Sequence, residues 1–280
     1  MQIPTSRRTV LGATLGSFAW PFAAAPARAA QGFETPAEIT RAFMRLRGAL
    51  DERIVYWWLE DVRSAVVATK VYPLFRARVG SFLRVKALGD DAYAVTKLET
   101  SYYVDLVTDQ LLRTMKNPVT GAEIDVASVV LGPTTTVLRA AGEEAPATAR
   151  GGKLTSRTSR GPVTVVGDDV LIAEDRFARI DFPDPATPPY NTSELNIYRG
   201  RLPQLSDQAR PYVDAWVSYQ SVSAFQPRLR MDGVIGHVSA RAVGGKVATL
   251  DAMPAKWRAI VERQNPEIVG DVAKALAKAG

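Results

Sequence analysis

From Arg53 onward the chain is written in short runs of β-branched and aromatic residues, IVYWWLE, SAVVATKV, FRARVGSFLRV and AYAVTKLETSYYVDLV, broken by turn residues such as Gly89-Asp90-Asp91. Runs of this length and texture are half-buried strands, and turns this close together pair each strand with its sequence neighbour in antiparallel fashion. QLLRTMK and AEIDVASVVL extend the pattern around Asn117-Pro118-Val119-Thr120-Gly121, where proline presets φ and glycine accepts a positive one. VTVVGDDVLIAE reads as a hairpin turning at Gly167-Asp168-Asp169, and SELNIYRG, WVSYQSVSAF, GVIGHVSARAV and KVATL continue the strands, with Gly244-Gly245 read as a tight turn. PDPATPPY cannot be a central strand, and the polar stretch 139–162 reads as a long loop or a linker between two sheet halves.

Helices are expected only at the two ends. Thr35-Pro36-Ala37-Glu38 forms a capping box with proline at the first helical position, and Ile39, Ala42, Phe43 and Leu46 share one face up to Gly48. MPAKWRAIVER and EIVGDVAKALAKA close the chain as helical segments broken at Asn265-Pro266. The expected fold is mainly β: an antiparallel, lipocalin-like barrel or a sandwich, with a short N-terminal helix and C-terminal helices. It occupies residues 30–280 as a single β-rich domain, with two halves that would meet near 139–162.

Residues 1–29 read as a twin-arginine signal peptide. Arg7 and Arg8 stand in an S-R-R-x-x-L setting, a modest apolar stretch follows, and Ala27-Arg28-Ala29 supplies a small-x-small cleavage pattern that places the mature start at Ala30. Pro21 and Pro26 interrupt the stretch and alanine dominates it, so it is not a membrane span, and none is expected in the mature form. The expected location is periplasmic or secreted, with the twin-arginine translocase as partner during export.

Without Arg7, Arg8 and Arg28 the 35 basic residues fall to 32 against 29 acidic ones, so the mature chain is nearly balanced. No basic stripe interleaved with aromatics is present, and no nucleic-acid partner is expected. With no cysteine and one histidine, His237, thiol chemistry, iron–sulfur clusters and the usual zinc and non-haem iron triads are excluded. No GxGxxG after a strand, GxxxxGK[ST] or GxSxG motif occurs. No cofactor is therefore expected. Calcium on the paired aspartates Asp90-Asp91 or Asp168-Asp169 is the open metal alternative.

The period of two along AYAVTKLETSYYVDLV puts Leu98, Tyr102, Val104 and Leu106 on one face and Lys97, Glu99, Ser101, Tyr103 and Asp105 on the other. Turned into a barrel, Glu99, Tyr103 and Asp105 form an acid–base and hydrogen-bonding cluster in a low-dielectric cavity, where carboxyl pKa values rise. Turned outward, they are a solvated strand face. His237, the one group with an ordinary pKa near neutrality, joins Glu99 and Tyr103 as a candidate catalytic residue; a hydrogen-bonded structural histidine is the alternative. Trp58, Asp105, Tyr190, Glu194 and Arg230 are candidate ligand-binding residues. Only one of Trp57 and Trp58 can line a cavity, since they point to opposite faces; the other is expected to pack under the N-terminal helix.

The run from Tyr56-Trp57-Trp58 through LETSYYVDLVT (Leu98 to Thr108) to NPVTG (Asn117 to Gly121), with RLRMDG (Arg228 to Gly233) late in the chain, resembles a bacterial family catalogued as domain of unknown function 1838. The resemblance spans most of the mature chain. It implies export, since members often carry twin-arginine signals, and glycine at the place where Asp109 stands; it implies no reaction. The expected function is to bind or transform a hydrophobic or aromatic small molecule in a β-barrel cavity, by cofactor-independent lyase- or isomerase-type acid–base chemistry if the protein is an enzyme. The alternative is a non-enzymatic structural or interaction module of the cell envelope.

Overall fold

A computed structural model describes residues 33–278 apart from 90, 145–147, 150 and 186; the signal segment and Asp90 lie outside the described residues. Helix α1 (Pro36–Arg47) precedes strands β1 (Val55–Val67), β2 (Lys70–Gly89) and β3 (Ala92–Val104), then a small β4–β5 hairpin (Thr114–Lys116, Glu123–Asp125) and β6 (Val129–Arg139). The short β7 (Gly142–Glu144) and β8 (Thr148–Ala149) lead to β9 (Gly152–Val166), β10 (Asp169–Asp181) and β11 (Tyr190–Arg201). Helix α2 (Leu202–Ser206), strands β12 (Ala215–Ser223) and β13 (Gly236–Val247), and helices α3 (Ala255–Gln264), α4 (Pro266–Gly270) and α5 (Val272–Ala277) complete the chain.

Apart from β4 and β5, the strands form one antiparallel ladder in the order β7-β6-β3-β2-β1-β13-β12-β11-β10-β9-β8. Pairing of β1 with β13 joins the first and last long strands from Tyr56 opposite Val247 to Val67 opposite Gly236, and the sheet curls into a nearly closed barrel. Across the remaining seam Arg160 on β9 donates to the main-chain oxygens of Arg139 and Ala140, at the end of β6.

The expected linker is thus largely strand. Its alternation is hard to see because three successive half-buried positions of β9, Ser156, Thr158 and Arg160, are polar, between the apolar Leu154 and Val163. Gly244-Gly245 is likewise no turn but the interior of β13: a Cβ on Gly244 would lie 2.2 Å from the main-chain oxygen of Trp58, so glycine here serves a close approach of two strands.

The capping box of α1 is formed, with Thr35 accepting from the Glu38 amide and the Glu38 carboxylate accepting from the Thr35 amide. This helix plugs one end of the barrel. Phe43, Met44 and Leu46 are fully buried against inward residues including Trp57, Val85, Ile172 and Tyr198, and Gly200 leaves the space Leu46 fills. Lys246 fastens the C-terminal turn by donating to the carbonyls of Arg45 (2.6 Å) and Gly48 (2.8 Å). The opposite end is closed by Phe75, Tyr103, Ile124, Leu229 and Met231. Helices α3–α5 lie on the outside, over Phe82, Leu98, Tyr102 and Val104. The chain break at Asn265-Pro266 separates α3 from α4 as expected, and Asn265 accepts from the Tyr102 hydroxyl at 2.8 Å.

Candidate functional site

The barrel is built partly inside out. On β3 the apolar set Leu98, Tyr102 and Val104 faces outward beneath α3–α5, so Lys97 and Glu99 face the lumen. Between the two packed ends lies a cavity of about 230 Å³. It exceeds the roughly 150 Å³ that admits a benzene ring.

Its lining is dominated by charge. Asp61, Glu99, Glu143, Glu174 and Glu194 face Arg47, Arg63, Lys97 and Arg176, with Trp57, Leu59, Val79, Tyr198, Val217 and Tyr219 between them. A hydrophobic ligand would meet a different wall from the one expected.

Arg47, at the C-terminal end of α1 where a cation complements the helix dipole, places Nη1 3.6 Å from both Glu143 and Glu174. Arg63 Nε donates to Asp61 at 3.3 Å, two residues away on the same face of β1. Lys97 Nζ stands 2.6 Å from Glu99, which also accepts from Ser81 at 3.2 Å. Asn196 donates to Glu174 at 3.3 Å.

These pairs are incomplete. Asp61 and Glu174 are 3% and 4% exposed. Asp61 Oδ1, Glu174 Oε1 and Arg47 Nη1 are buried and make no hydrogen bond among the described residues. Arg47 Nη1 and Glu174 Oε1 face one another beyond hydrogen-bond reach, and incompletely bonded buried charge is costly; all three side chains line one cavity.

Burial pushes the Asp61 and Glu174 carboxyls upward, against the opposing pull of Arg63 and Arg47 respectively. At Glu99 burial acts in the same direction, but Lys97, the Ser81 hydroxyl and Arg63 together outweigh it and the carboxyl is lowered. Asp61 and Glu174 therefore hold a proton more readily than exposed carboxyls do, whereas Glu99 holds one less readily.

Of the residues singled out in the sequence, Glu99 and Glu194 line the cavity. Tyr103 lies further along the same face of β3, in the packed end, with the guanidinium groups of Arg63 and Arg228 over its ring at 5.3 and 5.2 Å. Tyr190 opens β11, its hydroxyl 3.5 Å from Gln226. His237 sits opposite Val66 on β13, alternating with the buried Val238 and Ala240 and hence on the outer face.

Trp58 is also outside, edge-on to Trp216 at 5.6 Å. Its neighbour Trp57 both lines the lumen and packs under α1, where its Nε1 donates to the Arg47 carbonyl. Asp105 accepts from the amides of Val107 and Thr108 and fixes its own turn. Arg230 is exposed in a left-handed conformation, φ +48°. Asp168 and Asp169 are paired with Arg201 and Arg199 at 3.0 and 2.7 Å. Sequence reading missed Asp61, Glu174, Arg47, Arg63, Arg176 and Asn196, although Trp57, Leu59, Asp61 and Arg63 share a strand face by the same period of two.

Fold and lumen together define a class: an antiparallel barrel plugged at one end by a helix, with a charged internal cavity in its waist. Within that class the chain belongs to the family described as a protein of unknown function, DUF1838, whose sequence profile matches residues 51–274. The motifs that carry the resemblance meet in space, since Asn117 of NPVTG donates to the Leu229 carbonyl at 2.7 Å and touches the Met231 sulfur. Asp109, where glycine is expected, has φ +61°, the left-handed region that favours glycine. Its carboxylate is held by Arg78 and by Lys256 of α3 at 2.7 Å. A search of the curated proteins gives no match.

Proposed function

We propose that the protein is exported by the twin-arginine route and binds a small molecule in the lumen of its barrel. The observation that supports this best is a cavity lined by Asp61, Glu174 and Arg47, side chains that each keep a buried polar atom without a hydrogen bond. The ligand is amphipathic: an aromatic or aliphatic part meets Trp57, Leu59 and Val217, and polar groups meet the carboxylates. If the ligand is transformed, Asp61 and Glu174 are the proton-transfer groups and Glu99 supplies fixed negative charge.

Native mass spectrometry of the protein purified from its own host, with denatured spectra beside it, tests the reading. The expected result is a mature chain starting at Ala30 that carries an organic molecule lost on denaturation. A chain that retains residues 1–29 overturns export. A clean mass, together with no change in the tryptophan spectrum across a set of small amines, alcohols and acids, overturns binding. A second reading, an interaction module of the envelope, is favoured by the outer face of β12 and β13, where Trp216 is 55% and Val243 60% exposed.

A further inference from the structure

The chemistry of the lumen also narrows the ligand class, an inference that rests on the small-molecule reading above. The lining carries five carboxyl groups and four cations. Three of those cations already face carboxylates: Arg47 faces Glu143 and Glu174, Arg63 faces Asp61, and Lys97 faces Glu99. The fourth, Arg176, stands opposite Glu194 in register on β10 and β11. An anion entering this space would approach carboxylates at short range in a medium of low dielectric constant, where like charges repel strongly.

The atoms without a hydrogen bond point the same way. They are oxygens of Asp61 and Glu174 and a nitrogen of Arg47; the Glu174 oxygen and the Arg47 nitrogen face one another at 3.6 Å, which leaves an acceptor, the Asp61 oxygen, outstanding. A ligand that completes it brings an N–H or O–H donor. The aromatic members of the wall, Trp57, Tyr198 and Tyr219, attract a cation to their faces and give a hydrocarbon ring somewhere to pack.

We propose that the lumen selects a small organic ammonium compound whose N–H donors are accepted by Asp61 and Glu174 and whose ring or alkyl part rests against Trp57, Leu59 and Val217.

Three probes of one skeleton isolate the charge: 2-phenylethylamine, 2-phenylethanol and 3-phenylpropionate, titrated into the full mature protein at pH 7 by calorimetry and by protein-observed NMR. The amine is expected to bind at least about tenfold more tightly than the alcohol, and the propionate not at all. The paired change Asp61→Asn with Glu174→Gln, checked for folding by circular dichroism, is expected to remove the advantage of the amine over the alcohol.

Equal or tighter binding of the alcohol or the propionate, with shifts confined to lumen residues, overturns the ammonium class and leaves the cavity reading standing. An amine preference that survives the double substitution overturns the assignment to Asp61 and Glu174. Failure of all three probes also overturns the ammonium proposal, and the cavity reading is then judged by the co-purified mass alone.

Discussion

Asp61 and Glu174 each sit beside a second acid in the sequence, Glu60 and Asp175, that takes the opposite face of its strand. Period-two alternation separates the two members of each pair but does not say which one is inside. The usual guide, that charge faces water, points the wrong way here because the lumen itself is charged. Glu99 was legible from the apolar face opposite it on β3 and Glu194 from its place after the proline-rich stretch; Asp61 and Glu174 carry neither signal.

A test at this scale uses pH. The Glu174 carboxyl is raised above its ordinary 4.5 by burial, so between that value and its folded value the native state holds a proton that the unfolded chain has released. The stability this group contributes is present at low pH and is lost as pH rises through that window. Glu174→Gln cannot titrate, and Glu143 still faces Arg47 in the variant. The melting temperature of the empty protein should therefore decline less steeply from pH 4.5 to 7 in Glu174→Gln than in the unsubstituted protein; identical slopes would refute the assignment.

Among the elements, the legible ones were those specified by local chemistry. The capping box of α1, the NPVTG turn, the hairpin at Gly167 and the break at Pro266 each follow from a few adjacent residues. β9 and the Gly244-Gly245 segment depend on what lies opposite them, a charged lumen in one case and the backbone of β1 in the other, and no local pattern carries that information. The docking of α3 is of the second kind. Trp257 lies on Gly80 of β2, its Nε1 donating to Thr100 at 3.3 Å, and a Cβ on Gly80 would come within 2.3 Å of the indole ring. Gly80→Ala should therefore destabilise the protein by about 1–3 kcal/mol, read by urea denaturation, and should red-shift Trp257 fluorescence. An unchanged unfolding midpoint would mean that α3 contributes nothing through this contact.

For the whole molecule, the barrel expectation followed from the frequency of turns, but its closure came from a pairing between strands far apart in the sequence, β1 with β13, which no local signal announces. The helix that plugs the barrel is part of its core rather than an appendage, since Phe43 and Leu46 are fully buried among strands from both halves of the chain. Phe43→Ala should cost about 3–5 kcal/mol, measured by chemical denaturation with unchanged strand content in circular dichroism; a cost below about 1 kcal/mol would show that the wall stands without its plug. The inside-out strands have a further consequence. Apolar packing is concentrated at the two ends and under the outer helices, while the waist is held by buried pairs of opposite charge. A single exchange there strands the partner charge and costs stability, whereas an exchange of both members of a pair leaves the apolar ends as they are, so the character of the lumen can drift, by evolution or by an engineer, only in matched steps.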